Sequence, residues 1–159
     1  MEMNFLAILV AALVPMALGF LWYGPMLFQK AWMRESGMTE EKINSGNMAV
    51  IFGVSFVLAV LLALFLPTVT IHQMGAFSLV QGDLGILPSY DAFMADYSNE
   101  FRTFKHGVFH GALVGIFFVL PIMGTNALFE RKSWKHILIN VGYWTLTIAI
   151  MGGIVCAWR

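Results

Sequence analysis

The sequence predicts an all-α fold: an integral membrane four-helix transmembrane bundle with short interfacial helices, forming a single membrane domain over residues 1–159. The first observation is composition, because 59% of the residues are hydrophobic and 11% are charged, whereas a soluble domain carries about 25% charged residues. The second is that four apolar stretches are each long enough to cross a hydrocarbon core about 30 Å thick, which takes about 20 helical residues. The third is that Lys, Arg, Asp and Glu are absent from all four stretches.

The four predicted spans lie at about 4–23, 48–66, 107–129 and 137–158. Backbone N–H and C=O groups in the bilayer interior need partners within the protein, and a helix supplies them within one segment. We therefore expect helical spans, the third interrupted by Pro121. The first span should be retained rather than cleaved as a signal peptide, because Glu2 precedes it and the first cation, Lys30, follows it.

Basic residues predict the orientation of the bundle. They concentrate in the first and third connections between spans, which share one side of the membrane: Lys30, Arg34, Lys42, Arg131, Lys132 and Lys135. The positive-inside tendency places these connections in the cytoplasm and both termini outside. We expect a multi-pass protein of the cell's cytoplasmic (inner) membrane, in contact with the lipid bilayer.

The first connection carries signals for short helices. Gly24 and Pro25 should end the first span, and residues 25–36 predict an amphipathic interfacial helix that closes at Gly37. Thr39 is expected to cap the helix that leads into the second span.

The external segment 67–105 is the longest connection. Its Gly-rich part, residues 75–85, predicts a loop, and an amphipathic helix is predicted over about 89–105. One face of that helix would carry an aromatic stripe, formed by Tyr90, Phe93, Met94, Tyr97, Phe101 and Phe104. Packing on the ends of the bundle is the expected role of the stripe, with the headgroup layer and a partner membrane protein as alternatives.

Small residues at four-residue spacing predict close helix packing, most clearly at Gly107, Gly111 and Gly115. Lipid tails are as apolar as leucine, so membrane helices associate where small residues let their backbones approach. Two readings stay open at this level: packing within one bundle, and a homo-oligomer formed through this face.

His106 and His110 lie one helical turn apart at the start of the third span and could ligate a metal ion or haem iron. Two ligands are too few for a zinc site, so no cofactor is predicted and a structural role is favoured. His72 and Asp83 lie on the same predicted side of the membrane, but the sequence does not place them nearby.

A second polar group lies near the other end of the third and fourth spans, formed by Asn126, Glu130, Asn140 and Tyr143. We expect Asn126 and Asn140 to hydrogen-bond across the two helices, with ligand binding as the alternative. Membrane-depth carboxylate pairs and nucleophile motifs are absent from the sequence, so enzymatic activity is not expected. The net charge of zero also argues against a nucleic-acid partner.

The chain resembles the DUF1761 family of small multi-spanning membrane proteins without an assigned activity. The residues that carry the resemblance are Leu21-Trp22-Tyr23-Gly24-Pro25, Lys30-Ala31-Trp32-Met33, His110-Gly111, Leu120-Pro121, 126–130, Ile139-Asn140-Val141-Gly142-Tyr143-Trp144 and Met151-Gly152. It implies that six of these positions matter to the family design, namely His110, Asn126, Glu130, Asn140, Tyr143 and Trp144. It implies no substrate.

Three functional hypotheses follow. The first is a small transporter or ligand-binding membrane protein with a polar site between spans three and four, formed by His110, Asn126, Glu130, Asn140 and Tyr143. The second is a non-catalytic structural or accessory membrane subunit that acts through helix–helix contacts. Metal or haem binding at His106 and His110 is the third. A water-accessible cavity reaching Asn126 and Asn140 would favour the first hypothesis over the second.

Overall fold

The computed structural model describes residues 3–80 and 88–159, and within these ranges the chain folds entirely into helices, turns and short connections. The helices that frame the bundle are α1 (Phe5–Trp22), α4 (Met48–Thr70), α7 (Phe104–Phe129) and α8 (Trp134–Ala157). All four are long and apolar enough to cross a membrane. The predicted class, an all-α bundle of four membrane-spanning helices, is confirmed.

Three of the spans are longer than predicted at one end. α4 continues past Pro67 to Thr70, because proline removes only its own N–H bond and the Ile71 N–H still reaches the Pro67 carbonyl at 3.0 Å. The two later spans begin three residues early, because the Thr103 and Ser133 hydroxyls accept hydrogen bonds from the first-turn N–H groups.

The fourth span, α8, is the central helix. Within its most apolar stretch 56% of the residues are buried in the protein, against 17% in the corresponding stretches of α4 and α7. Its buried side chains meet α1 and α4 in one core, formed by Ile8, Ala11, Ala12, Ala59, Ala63, Leu66, Ile148, Met151 and Val155. The outer faces of the other spans leave large apolar side chains exposed, as lipid contact requires.

The glycine face of α7 packs on α8 within the same chain. A Cβ atom at Gly111 would lie 2.7 Å from the Ala149 Cα, and one at Gly115 would lie 2.6 Å from the Thr145 Cα. Gly107 approaches α8 just as closely, since a Cβ there would lie 2.6 Å from the Cys156 Cβ. Of the two readings left open by the sequence, packing within one bundle is correct for these glycines. The homo-oligomer predicted through this face receives no support from the structure, because α8 of the same chain contacts these glycines.

Pro121 does not break the third span. The helix widens instead into a π-helical segment, Gly115–Val119, in which the Leu120 N–H reaches the Gly115 carbonyl five residues earlier. The expected interruption is therefore a local change of hydrogen-bond register, because proline has no N–H to continue the α-helical ladder.

The first connection differs from prediction in its boundaries. A bend at residues 23–24 and a turn at 25–28 precede helix α2, which is therefore shorter than predicted, Gln29–Ser36. It ends as predicted at Gly37, with φ of +72°. Thr39 caps a separate short helix, α3 (Glu40–Asn44), and Asn47 caps α4 itself. The prediction that the helix capped by Thr39 leads directly into the second span is wrong, because α3 and α4 are separate helices.

The connection between the second and third spans is where the sequence prediction fails most. A helix, α5 (Gln73–Leu79), occupies part of the predicted 75–85 loop, and residues 81–87, which include Asp83, lie outside the described residues. The predicted 89–105 helix is instead α6 (Pro88–Tyr97) followed by turns. Phe101 has a left-handed backbone, with φ of +59°, and Phe104 already belongs to α7. The aromatic stripe is thus divided between two helices and a turn.

Candidate metal centre

Three histidines meet at the end of the bundle that also holds both ends of the chain. His72 lies at the junction of α4 and α5, and His106 and His110 lie in the first two turns of α7. Their ligand nitrogens all lie within 4.8 Å of one another, and the Nε2 atoms of His72 and His106 are 3.0 Å apart. We call this group the histidine cluster. It is the closest gathering of metal-ligand side chains in the described part of the chain.

Local backbone geometry brings the three rings together. α4 ends where Ile71 becomes extended, with φ of −119° and ψ of 104°, and the chain turns there before α5 begins. His72 sits on that turn. On α7, the Thr103 cap fixes the first turn, so that the spacing of four residues places His106 and His110 on the same face.

Phe101 supports the cluster from one side. Its ring packs against His72 and His106, with centroid distances of 5.6 and 5.1 Å. The left-handed turn at this residue is held by hydrogen bonds to its carbonyl, from the Thr103 N–H at 2.8 Å and from the Cys156 thiol at 3.4 Å. The strained backbone is thus part of the wall of the site.

Gln73, next to His72, ties the same turn to α5. Its side chain is 2% exposed, and its amide nitrogen donates to the carbonyls of Tyr97 and Glu100, the latter at 2.9 Å. Arg102 fastens the turn to the end of α8, because its guanidinium donates to the Cys156 carbonyl at 2.8 Å and to the Trp158 carbonyl at 3.4 Å. The residues around the cluster are therefore hydrogen-bonded to α5 and to the end of α8.

The dimensions of the cluster fit a transition metal ion. Zinc–nitrogen bonds of about 2.0–2.1 Å in a tetrahedral site place ligand nitrogens about 3.3 Å apart. The 3.0 Å distance of one pair and the 4.8 Å upper limit for all three bracket that spacing. Imidazole nitrogen suits zinc, copper, nickel and iron, while magnesium and calcium prefer oxygen.

Sequence reasoning identified two of the three ligands and placed the third only on the same side of the membrane. No spacing rule connects His72 to α7, because more than 30 residues separate them in the chain. The available signal was that a histidine directly after one span and a histidine at the start of the next return to the same membrane face. That signal limits the distance but does not demonstrate contact.

The remaining predicted site residues lie at the opposite end of the bundle and do not join His110. His110 and Asn126 are 16 residues apart on one helix, which separates them by about 24 Å along its axis. Asn126 and Glu130 are exposed. The structure therefore does not bring the five predicted ligand-binding residues into one site.

Asn140 and Tyr143 contact the first span rather than the third. The Tyr23 hydroxyl donates to Asn140 Oδ1 at 2.9 Å, and Asn140 Nδ2 donates to the His136 carbonyl at 2.8 Å. The Tyr143 hydroxyl donates to the Pro15 carbonyl at 2.7 Å. The predicted bond between Asn140 and Asn126 is not formed in the described structure. Interhelical bonding was the right role for Asn140, but its partner is Tyr23.

At the end of the bundle opposite the histidine cluster, hydrogen bonds to Glu35 join the connection after the first span to the connection before the fourth. The Ser133 hydroxyl donates to Glu35 Oε2 at 2.6 Å, and the Arg34 guanidinium donates to Glu35 Oε1 at 3.0 Å. These two bonds, the Ser133 bond foremost, lower the pKa of the Glu35 carboxyl below its ordinary value. Glu35 thus stays ionised and joins the residues around α2 to the start of α8.

Removing the Tyr23 hydroxyl should weaken the bundle without touching the histidine cluster. Tyr23→Phe leaves Asn140 Oδ1 half-buried without that donor, which we expect to cost about 1 kcal/mol of unfolding free energy. Unfolding of the detergent-solubilised protein, followed by circular dichroism against increasing dodecyl sulfate, measures the loss. The control is Tyr97→Phe, because the Tyr97 side chain is half exposed on α6. Equal stability of the two variants would contradict the role given to the Tyr23 hydroxyl.

Together the fold and the cluster define a class: a small helical membrane protein with four spans and three histidines gathered where the second span ends and the third begins. The family model described as "Protein of unknown function (DUF1761)" matches residues 6–156, nearly the whole chain. The chain belongs to this family, as the resemblance of its motifs implied. A comparison with curated proteins and one with solved structures each found no match.

Proposed function

We propose that this protein binds one transition metal ion per chain through His72, His106 and His110. The observation that carries the proposal is the convergence of three ligand nitrogens within 4.8 Å from two separate parts of the chain. The segment that packs against the cluster is itself held in place, by a left-handed turn at Phe101 and by hydrogen bonds from the buried Gln73 and from Arg102 to backbone carbonyls. Preorganised ligands of this kind favour metal affinity.

The proposal is for a metal ion rather than for haem. The three imidazole rings are already in contact, with centroids 4.5–5.1 Å apart. A porphyrin ring would have to stand between an imidazole and its neighbours, and rings at this separation leave no slot for one. Exposure of His72 and partial exposure of the other two give a hydrated ion direct access.

The orientation that the basic residues favour puts this end of the bundle outside the cytoplasm, together with both termini. The cluster would then meet metal ions on the external face of the membrane. The inference is independent of the metal proposal, because it depends on charges at the other end of the protein.

A carrier with a polar site between the third and fourth spans receives less support. A cavity of about 260 Å³ in that region is lined by apolar side chains of α4, α7 and α8, namely Leu62, Phe118, Val119, Ile122, Met123, Trp144 and Ile148. Asn126 and Asn140 are not among them. An accessory subunit that acts through helix contacts is compatible with the exposed apolar faces, but bilayer contact explains those faces equally well.

Metal stoichiometry tests the proposal. The protein, purified in detergent and stripped with a chelator, is dialysed against buffered Zn²⁺ or Co²⁺ and its metal content measured by mass spectrometry. We expect about one ion per chain for the wild type and close to none for His72→Ala/His106→Ala/His110→Ala.

The matched control is His136→Ala, which removes a histidine at the opposite end of the bundle and should keep the full stoichiometry. Circular dichroism of each variant checks that it is folded. Equal metal content in the wild type and the folded triple variant would overturn the proposal.

A further inference from the structure

We propose that the bound ion keeps one coordination position open, and that this position takes an anionic oxygen ligand, the phosphate or carboxylate group of a second molecule. The inference rests on the proposed function, because it concerns the ligand of the metal that the histidine cluster would hold. It adds the chemical class of the second molecule that the bound ion would recognise, which metal binding alone does not give.

The number of protein ligands is the first argument. Zinc and cobalt sites that serve only structure are closed by four protein ligands, whereas sites that act on a further molecule have three and leave the fourth position open. Within residues 3–80 and 88–159, the cluster contains three histidines and no carboxylate or thiolate. The one cysteine, Cys156, is buried, and its thiol contacts the carbonyls of Thr70 and Phe101.

Charge is the second argument. Three neutral imidazoles leave the full positive charge on a divalent ion, so the complex attracts an anion. The N-terminal end of α7 adds to this attraction, because His106 belongs to its first turn and the helix dipole gives that end a partial positive charge. Lys105 lies directly beside His106 in the chain. The C-terminal end of α4 beside His72 carries a partial charge of the opposite sign, so the charge of the ion itself is the main source of the attraction.

Access is the third argument. Phe101 flanks His72 and His106, and Phe109 contacts His110 at a ring centroid distance of 5.5 Å. Neither aromatic ring supplies a donor or an acceptor to a ligand, so a bound anion would be held by the ion itself. His72 is exposed and the other two histidines are partly exposed, so a soluble molecule can reach the ion from outside the protein.

The test uses full-length protein loaded with Co²⁺, whose visible absorption reports changes in coordination. Inorganic phosphate and acetate are titrated separately into the detergent-solubilised protein in a weakly coordinating buffer. We expect a saturable change in the cobalt bands with either anion, and no change with an equal concentration of a non-coordinating salt such as perchlorate. His136→Ala, which leaves the cluster intact, should respond like the wild type.

A second arm distinguishes free phosphate from a lipid headgroup. Co²⁺-loaded protein in nanodiscs of phosphatidylcholine is compared with protein in nanodiscs containing phosphatidic acid. A spectral change caused by phosphatidic acid alone assigns the position to a lipid phosphate. A change that requires added inorganic phosphate or acetate assigns it to a soluble anion, and either result supports the inference.

Failure of the two proposals can be told apart. Protein that takes up no Co²⁺ overturns the proposed function. Protein that takes up Co²⁺ but shows the same spectrum with every anion overturns only the open position. The variant Asp83→Asn is titrated in parallel, because Asp83 lies outside the described residues. An anion response found only in that variant would show that a protein carboxylate occupies the position, which would also overturn the inference.

Discussion

Adding one methyl group at Gly111 is expected to destabilise the whole bundle, with a loss of about 3 kcal/mol in unfolding free energy for Gly111→Ala. The methyl carbon would lie 2.7 Å from the Ala149 Cα, a separation that carbon atoms do not adopt, and the obstructing atoms are backbone. A side chain can rotate away from such a contact, but two helix backbones must move apart. Because α8 is the central helix, its separation from α7 also disturbs the packing with α1 and α4.

Gly53→Ala is the matched control for this prediction. It makes the same chemical change inside a membrane-spanning helix, but a Cβ atom at Gly53 would meet nothing within 4 Å. Since alanine favours helix more than glycine does, this variant should be neutral or more stable by up to about 1 kcal/mol. Thermal unfolding in detergent, monitored by size-exclusion chromatography of heated samples, compares the stabilities of the two variants. If Gly111→Ala is as stable as Gly53→Ala, the close approach of α7 and α8 is wrong.

Hydropathy was sufficient to find the four spans, because length and the absence of charge decide whether a helix can cross a bilayer. It was not sufficient to find the ends of the helices. Thr103 and Ser133 lie outside the apolar stretches, and their effect comes from a single hydroxyl that accepts a backbone N–H. Pro67 looked like the end of a span, yet the helix runs three residues beyond it.

Contacts between helices depend on three-dimensional packing that one sequence does not specify. The spacing of Gly107, Gly111 and Gly115 predicted a close approach but not whether the partner would be α8 or a second chain. Asn140 was correctly expected to bond across helices, and the structure gives Tyr23 as its partner. Amphipathic periodicity failed beyond Tyr97, where α6 ends. After the following turn, the left-handed backbone of Phe101 places its aromatic ring against the histidines.

The same limit explains why the sequence indicated only part of the candidate metal site. His106 and His110 share a helix, so their spacing alone indicated that both face one way. His72 reaches them only because α4 ends in a turn rather than continuing, and because Gln73 and Arg102 fix the opposite wall. A ligand set drawn from two segments becomes recognisable only when the packing of those segments is known. That packing is what a metal ion would reinforce.

Metal binding should therefore stabilise the protein, and the single substitution His72→Ala should remove most of the effect. A ligand that binds only the folded state at 100 times its Kd contributes about 2.7 kcal/mol. His72 is the only ligand contributed by the α4–α5 junction, so its loss leaves an ion bound to α7 alone. Changes in residues that merely orient metal ligands lower affinity by about 10–100-fold, so removal of a ligand itself should cost at least about 100-fold.

Thermal unfolding with and without Zn²⁺ measures the stabilisation, and hydrogen exchange shows where it arises. In the wild type we expect Zn²⁺ to raise the unfolding temperature and to slow exchange at residues 71–75 and 97–103, which face each other across the cluster through Gln73 and Phe101. In His72→Ala both effects should fall to a small fraction of the wild-type values at the same Zn²⁺ concentration, while His136→Ala should keep them. Equal protection of these segments in the wild type and His72→Ala would mean that the ion does not join α4 to α7. The histidine cluster would then be a surface feature of α7 rather than a metal centre built by the fold.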